Sequence, residues 1–101
     1  MSQKEKTKFR ASAKWKKFKA YMKKTRGVDE ITLRPLLKGH NIHHLDGREI
    51  NYQNLDENRF MALNRSTHEM VHWLIRYYRN DPSIIKRLEN CMKLMIKYSE
   101  D

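Results

Sequence analysis

Only five of the 101 residues are glycine or proline, and their positions fix where regular elements can run. They are Gly27, Pro35, Gly39, Gly47 and Pro82. The stretch before Gly27 and the stretch between Gly47 and Pro82 contain neither residue, whereas four of the five fall between positions 27 and 47. Such punctuation favours long elements at both ends and short extended pieces with turns between them.

The pattern from 11 to 26 is helical. Trp15, Phe18 and Met22 recur at i, i+3 and i+7 and Tyr21 widens the stripe, while lysines 14, 16, 17, 19, 23 and 24 mostly cover the other face. Ser12 stands where an N-cap belongs, and Gly27 where a C-terminal glycine stops a helix. Residues 1–10 read as a basic flexible arm. From 28 to 63 the chain reads as extended structure and loops: a short strand-like piece at Ile31-Thr32-Leu33, a second at 41–45, and the apolar run 60–63. The last two, separated by a polar loop, predict a hairpin. Helix returns after Leu63, with Ser66 and Glu69 at capping-box spacing. Asn80-Asp81-Pro82 stops it and starts a final helix over 82–98, striped with Ile84, Ile85, Leu88, Cys91, Met92, Met95 and Ile96.

The predicted fold class is therefore α+β and mostly helical, with one domain over 11–101. A basic helix (11–26), a hairpin followed by a helix (40–79) and a C-terminal helix (82–98) make it up. Charge narrows the partners. The chain has 22 Lys+Arg against 12 Asp+Glu, a net +10 with neutral histidines, and 11 of the basic residues lie in residues 1–26 beside a single acid, Glu5. That excess points to a polyanion, either nucleic acid or an anionic membrane surface. One cysteine excludes an internal disulfide and any cysteine-based zinc finger. No run approaches the length of a spanning helix, and no secretory signal opens the chain.

All five histidines fall between positions 40 and 72. His68 and His72 are an i, i+4 pair, so both rings leave one face of a helix and a divalent ion can bridge them; the same spacing also arises by chance. In His43-His44, strand geometry sends adjacent side chains to opposite faces. One ring is then available to a metal and the other to substrate as a base, or one is half-buried and the other simply solvent-facing. His40 reads as a surface or phosphate-contacting residue.

The run Ile42-His43-His44-Leu45-Asp46-Gly47, followed after about twenty residues by Leu63-x4-His68-x3-His72, resembles the HNH endonuclease family, and small phage-encoded members in particular. The resemblance implies a ββα-metal motif over residues 40–73, in which one divalent ion sits between a hairpin and a helix. Carried over by position, His43, His68 and His72 match the metal ligands and His44 the general base. The family's central Asn stands nine residues before the first helix histidine, where this chain has Arg59. Asn58 takes that role through a one-residue bulge, or Asn51, Asn54 or no residue does. The zinc-binding cysteines of many members are missing. Asn64 and Thr67 stand in the downstream pair's place, so the apolar core is expected to replace that structural metal.

The activity implied is single-metal hydrolysis of DNA phosphodiesters, nicking or cutting, with a 5′-phosphate and a 3′-hydroxyl as products. The ion implied is Mg2+ or Mn2+, with Zn2+ and Ni2+ favoured by the affinity order of an all-histidine site. DNA is expected to be held mostly through its backbone by Lys14, Lys17 and Lys24 of the basic helix and by Arg48, Arg59 and Arg65 near the site. Phage packaging or replication proteins are the partners implied, in the cytoplasm of a bacterial host, with no membrane and no small-molecule substrate. The competing reading is a non-catalytic basic DNA-binding protein with a degenerate motif.

Overall fold

Ser12 and Gly27 bound the first long helix where the sequence puts its limits. The computed structural model describes residues 2–99, and helix α2 spans Ala13–Arg26. The Ser12 hydroxyl accepts the Trp15 N–H at 3.2 Å. Gly27 ends the helix at φ +74°, a left-handed conformation that glycine adopts without a Cβ clash. Trp15 and Met22 are buried and Phe18 packs against the same cluster.

The segment before α2 is a helix and not a loose arm. α1 spans Gln3–Arg10. The Ser2 hydroxyl accepts the Glu5 N–H at 3.1 Å, and the Glu5 carboxylate accepts the Ser2 N–H at 3.4 Å, a reciprocal cap. The segment carries no apolar stripe, but one side chain suffices to dock it. Phe9 is buried, with its ring centroid 5.8 Å from those of both Trp15 and Tyr52. Lys6 adds a 2.7 Å ion pair to Glu49.

Strands β1 (Asn41–His44) and β2 (Phe60–Leu63) pair antiparallel, in register from Asn41↔Leu63 to His44↔Phe60. The hairpin predicted from the two apolar pieces is therefore present. Directly opposed residues share a face. Ile42, His44, Phe60 and Ala62 make one face, and Phe60 and His44 meet Trp15 there. Asn41, His43, Met61 and Leu63 make the other.

The piece Ile31-Thr32-Leu33 is not a strand. Asp29 folds it into a turn, its Oδ1 accepting the N–H groups of Ile31 (2.9 Å) and Thr32 (2.8 Å). Extended pairing there is limited to the single bridge Val28↔Pro35. Glu30 instead satisfies the free edge of β2. Its N–H donates to the Ala62 carbonyl at 3.0 Å and its carboxylate accepts the Ala62 N–H at 2.6 Å, covering a backbone edge that would otherwise be open.

Helix α3 spans Arg65–Tyr78. Ser66 therefore lies inside the helix, and the capping box proposed for Ser66 and Glu69 is not its start. The Asn64 carbonyl accepts the His68 N–H at 2.9 Å. Asn64 and Thr67 do not leave their places to apolar packing either. Asp29 Oδ2 accepts the Asn64 N–H at 2.8 Å, and the Thr67 side chain also bonds the Asp29 carboxylate. The Asn64 side chain accepts from the Leu37 N–H and donates to the Pro35 carbonyl.

Where the length suggested one domain over 11–101, the chain packs as two compact units, Met1–His68 and Glu69–Asp101. The division falls within α3, which runs through it as one unbroken helix. In the second unit α4 spans Ser83–Ser99. Asp81 starts it, accepting from the Ser83 N–H at 3.1 Å and the Ser83 hydroxyl at 2.5 Å. No helix among the described residues is long and apolar enough to cross a membrane.

Two stability outcomes follow from this packing. Phe9→Ala is expected to cost about 3–5 kcal/mol in chemical denaturation; a change within about 0.5 kcal/mol would return residues 1–10 to the status of a loose arm. Asp29 is fully buried. Burial by itself would raise its pKa, but bonds from Thr32, Asn64, Thr67 and Ile31 overcome that and bring it down to about 2. The depressed value is worth about 2 kcal/mol of stability. It is fully present above the ordinary carboxylate range and lost as the pH falls through 4 towards 2. The stability gap between wild type and Asp29→Asn is expected to shrink over that window and to stay constant from pH 5 to 7.

Candidate metal centre

The two histidines of the doublet part company because they sit on a strand. His43 points to the face of the sheet away from α2 and is buried. There it meets the first turn of α3, and the rings of His43 and His68 have centroids 5.1 Å apart at an interplanar angle of 72°. His72 follows His68 by one turn of the same helix, which fixes the second ring relative to the first. The ligand nitrogens of His43, His68 and His72 all lie within 4.8 Å of one another.

That donor set fits a divalent transition-metal ion. Bonds of about 2.0–2.1 Å in tetrahedral geometry place ligand nitrogens about 3.3 Å apart, a closure within reach of side-chain rotation. Burial is graded across the set: His43 is buried, His68 half-buried and His72 exposed. Three protein ligands with one side open to solvent is the arrangement of reactive rather than structural metal sites.

His44 is not part of that group. It lies on the opposite face, half-buried in an aromatic cluster. Its ring stacks on Tyr52 (4.7 Å, 10°), lies parallel to Trp15 (5.8 Å, 9°) and meets Phe60 at 4.7 Å. Nε2 lies 3.1 Å from the Tyr52 carbonyl oxygen. A carbonyl only accepts, so Nε2 carries the proton and Nδ1 of the neutral ring keeps its lone pair. Burial pushes the His44 pKa below its ordinary value. The Tyr52 carbonyl pulls it up, and the positive charges of Arg10 and Lys6 push it further down. The ring is thus held neutral at physiological pH with its basic nitrogen defined.

His40 is buried and not a surface residue. Its Nδ1 lies 3.1 Å from the Leu37 carbonyl oxygen. Its Nε2 has no hydrogen-bond partner among the described residues. Burial, with Lys19 and Lys23 adding to it, lowers its pKa and keeps it uncharged, so it makes a poor phosphate contact.

The loop between the strands is organised by Asp46, which the sequence brought in only as part of the run Ile42-His43-His44-Leu45-Asp46-Gly47. Its carboxylate accepts from Arg48, from Asn51 Nδ2 at 2.8 Å and from Arg59 Nη1 at 2.8 Å. The Arg48 guanidinium beside it holds the Asp46 carboxyl well below the usual carboxylate range. Asn58 does not tie this loop. It is exposed, and its N–H donates to Asp56 Oδ1 at 3.1 Å. Asn51 and Arg59 do the work assigned to it. Of the six basic residues assigned to phosphate, Lys14, Lys17, Lys24 and Arg65 are exposed, while Arg48 and Arg59 are both ion-paired to Asp46. Tyr52 and the role of Asp46 as a hub escaped notice because no recognisable spacing marks either.

Compared with protein-family models, with curated proteins and with solved structures, the chain gives no match in any of the three.

If the three imidazoles share an ion, Zn2+ or Ni2+ at about 100 times its dissociation constant adds roughly 2.7 kcal/mol, and the melting temperature should rise by on the order of 10 °C. His68→Ala should abolish that rise. An equal rise in wild type and variant would show that the metal binds elsewhere.

Proposed function

We propose that the protein is a metal-dependent DNA endonuclease or nickase of the HNH type, with the hairpin β1–β2 and helix α3 as its ββα-metal motif. The observation that carries the reading is the convergence of His43, His68 and His72. These three come from a strand and a helix far apart in sequence, in the order that the resemblance assigns to its metal ligands. His43, His68 and His72 would hold one divalent ion, Mg2+ or Mn2+ as the working metal, which when bound supplies Lewis acidity to a phosphodiester.

The chain's own groups supply the rest. His44, with Nε2–H on the Tyr52 carbonyl, offers Nδ1 to take a proton from water. Its depressed pKa keeps it in the basic form at neutral pH. Lys14, Lys17 and Lys24 lie exposed on α2 and would neutralise backbone phosphates, making binding steeply salt-dependent. Asp46, bonded to Arg48, Asn51 and Arg59, holds the loop that presents the Tyr52 carbonyl. Attack of water on phosphorus would leave a 5′-phosphate and a 3′-hydroxyl. Phage packaging or replication proteins in a bacterial host cytoplasm are the setting that fits such an enzyme.

One observation favours a second reading, a DNA-binding protein with a metal site but no catalysis. The His44 ring is packed among Trp15, Tyr52 and Phe60 as a core residue would be. A supercoiled-plasmid assay across Mg2+, Mn2+, Zn2+ and Ni2+ separates the two. Wild type is expected to nick or linearise the plasmid, and His44→Ala to slow it by roughly 10²–10⁴-fold while retaining salt-sensitive DNA binding. Binding without cleavage by wild type in every metal supports the second reading.

A further inference from the structure

The second unit leaves its largest apolar side chains uncovered. In α3, Met70, Trp73 and Tyr77 recur at i, i+3 and i+7 and are exposed, Trp73 by 57%. In α4, Ile85, Met92, Met95 and Ile96 are exposed, the last three by 54%, 65% and 60%. None of the described residues of α4 is buried. Both helices are amphipathic, and Leu74, Ile75 and Tyr78 of α3 and Ile84 and Leu88 of α4 are already half-buried. The apolar stripes of both helices are therefore only partly covered.

We propose that this surface is a homodimer interface, in which the α3–α4 pair packs on the same pair of a second copy to form a four-helix bundle. Three observations commit it to that occupant. The first is size. Seven large apolar side chains on the two helices, exposed by 45–65%, exceed the singly scattered apolar residues of an ordinary surface. The second is form. Two helices with a leftover apolar face are half of a bundle, and a two-fold axis brings identical patches together. The third is charge. Residues 69–101 carry six Lys/Arg and five Asp/Glu, a net +1, whereas residues 1–68 carry sixteen and seven, a net +9. The near-neutral unit can meet its own copy without repulsion. It also has little attraction for an anionic membrane, which a basic amphipathic surface would seek.

Sedimentation equilibrium of the full chain, without DNA and at about 0.5 M salt so that the basic region neither bridges through nucleic acid nor self-repels, tests this independently of any nuclease activity. Wild type is expected at twice the 12.3 kDa chain mass. Met92→Glu with Ile96→Glu, at exposed positions where the fold tolerates change, is expected at the single-chain mass with unchanged helical circular dichroism. Trp73→Gln on α3 provides a second break if that pair fails to fold. Wild type remaining at 12.3 kDa up to about 100 μM, where even a weak micromolar dimer would form, overturns the proposal. So do folded variants that stay dimeric. A monomeric wild type that sediments with phosphatidylserine vesicles, and loses this with Met92→Glu and Ile96→Glu, overturns it in favour of a lipid surface.

Discussion

One buried carboxylate decides where the helix bearing His68 and His72 begins. Asp29 takes the N–H groups of Ile31 and Thr32 with one oxygen and the N–H of Asn64 with the other, and Thr67 adds its side chain. The same group therefore closes the turn after α2 and fixes the first residues of α3. Asn64 extends the tie through its side chain to residues 35 and 37. A buried, ionised carboxylate is costly unless its lone pairs are filled; here backbone N–H groups fill them. His68 stands one residue after Thr67, so the ring that faces His43 is set by this junction. A second support is Glu30, which holds the outer edge of β2 through Ala62 and so keeps β1 and β2 in the register that aims His43 at α3.

The two faces of the hairpin then have different surroundings for one geometric reason. Side chains alternate along a strand, so His43 is delivered to α3 while His44 is delivered to the aromatic cluster of Phe9, Trp15, Tyr52 and Phe60. That cluster is assembled from α1, α2, the loop and β2. The helices carrying half of the chain's basic residues thus also form the wall against which His44 is stacked. Basic residues on one side of α2 and Trp15 on the other give that helix two separate tasks, and changing Trp15 would disturb the His44 ring without touching any charge.

Much of this was legible in the sequence, and the misses share a cause. α2, the hairpin and the break before α4 each announce themselves by local signals: a 3.6-residue stripe between Ser12 and Gly27, two apolar runs around a polar loop, and Asp81 before Pro82. The shared face of His68 and His72 was legible from spacing, because i, i+4 on a helix is a distance, whereas His43 joined them only through the resemblance. α1 escaped because one long-range contact, Phe9 on Trp15 and Tyr52, holds it, and no periodicity records a single anchor. Ile31-Thr32-Leu33 has strand propensity, but Asp29, two residues earlier, offers its backbone a turn instead. His40 looked like a surface residue because its polarity was visible and its burial was not. Asn58 has the motif's residue type one position early, whereas the loop is tied by Asn51, one of the alternatives, and by Arg59 through Asp46. A carboxylate hub of that kind is defined by which donors converge on it, and that is a property of the fold alone.

The uneven charge of the chain is the last consequence of this division of labour. Nine of the ten net positive charges lie in residues 1–68, with the sheet and the His43–His68 contact, and the remaining thirty-three residues are nearly neutral. A surface meant for a polyanion and a surface meant for apolar packing make opposite demands on side chains, since lysines that attract phosphate repel a second copy of themselves. In this chain the basic excess and the exposed stripes of α3 and α4 fall in different units. α3 belongs to both, with Thr67 and His68 in the first and the Met70–Trp73–Tyr77 stripe in the second. The one helix that carries two of the three candidate ligands, His68 and His72, is therefore shared between the two units.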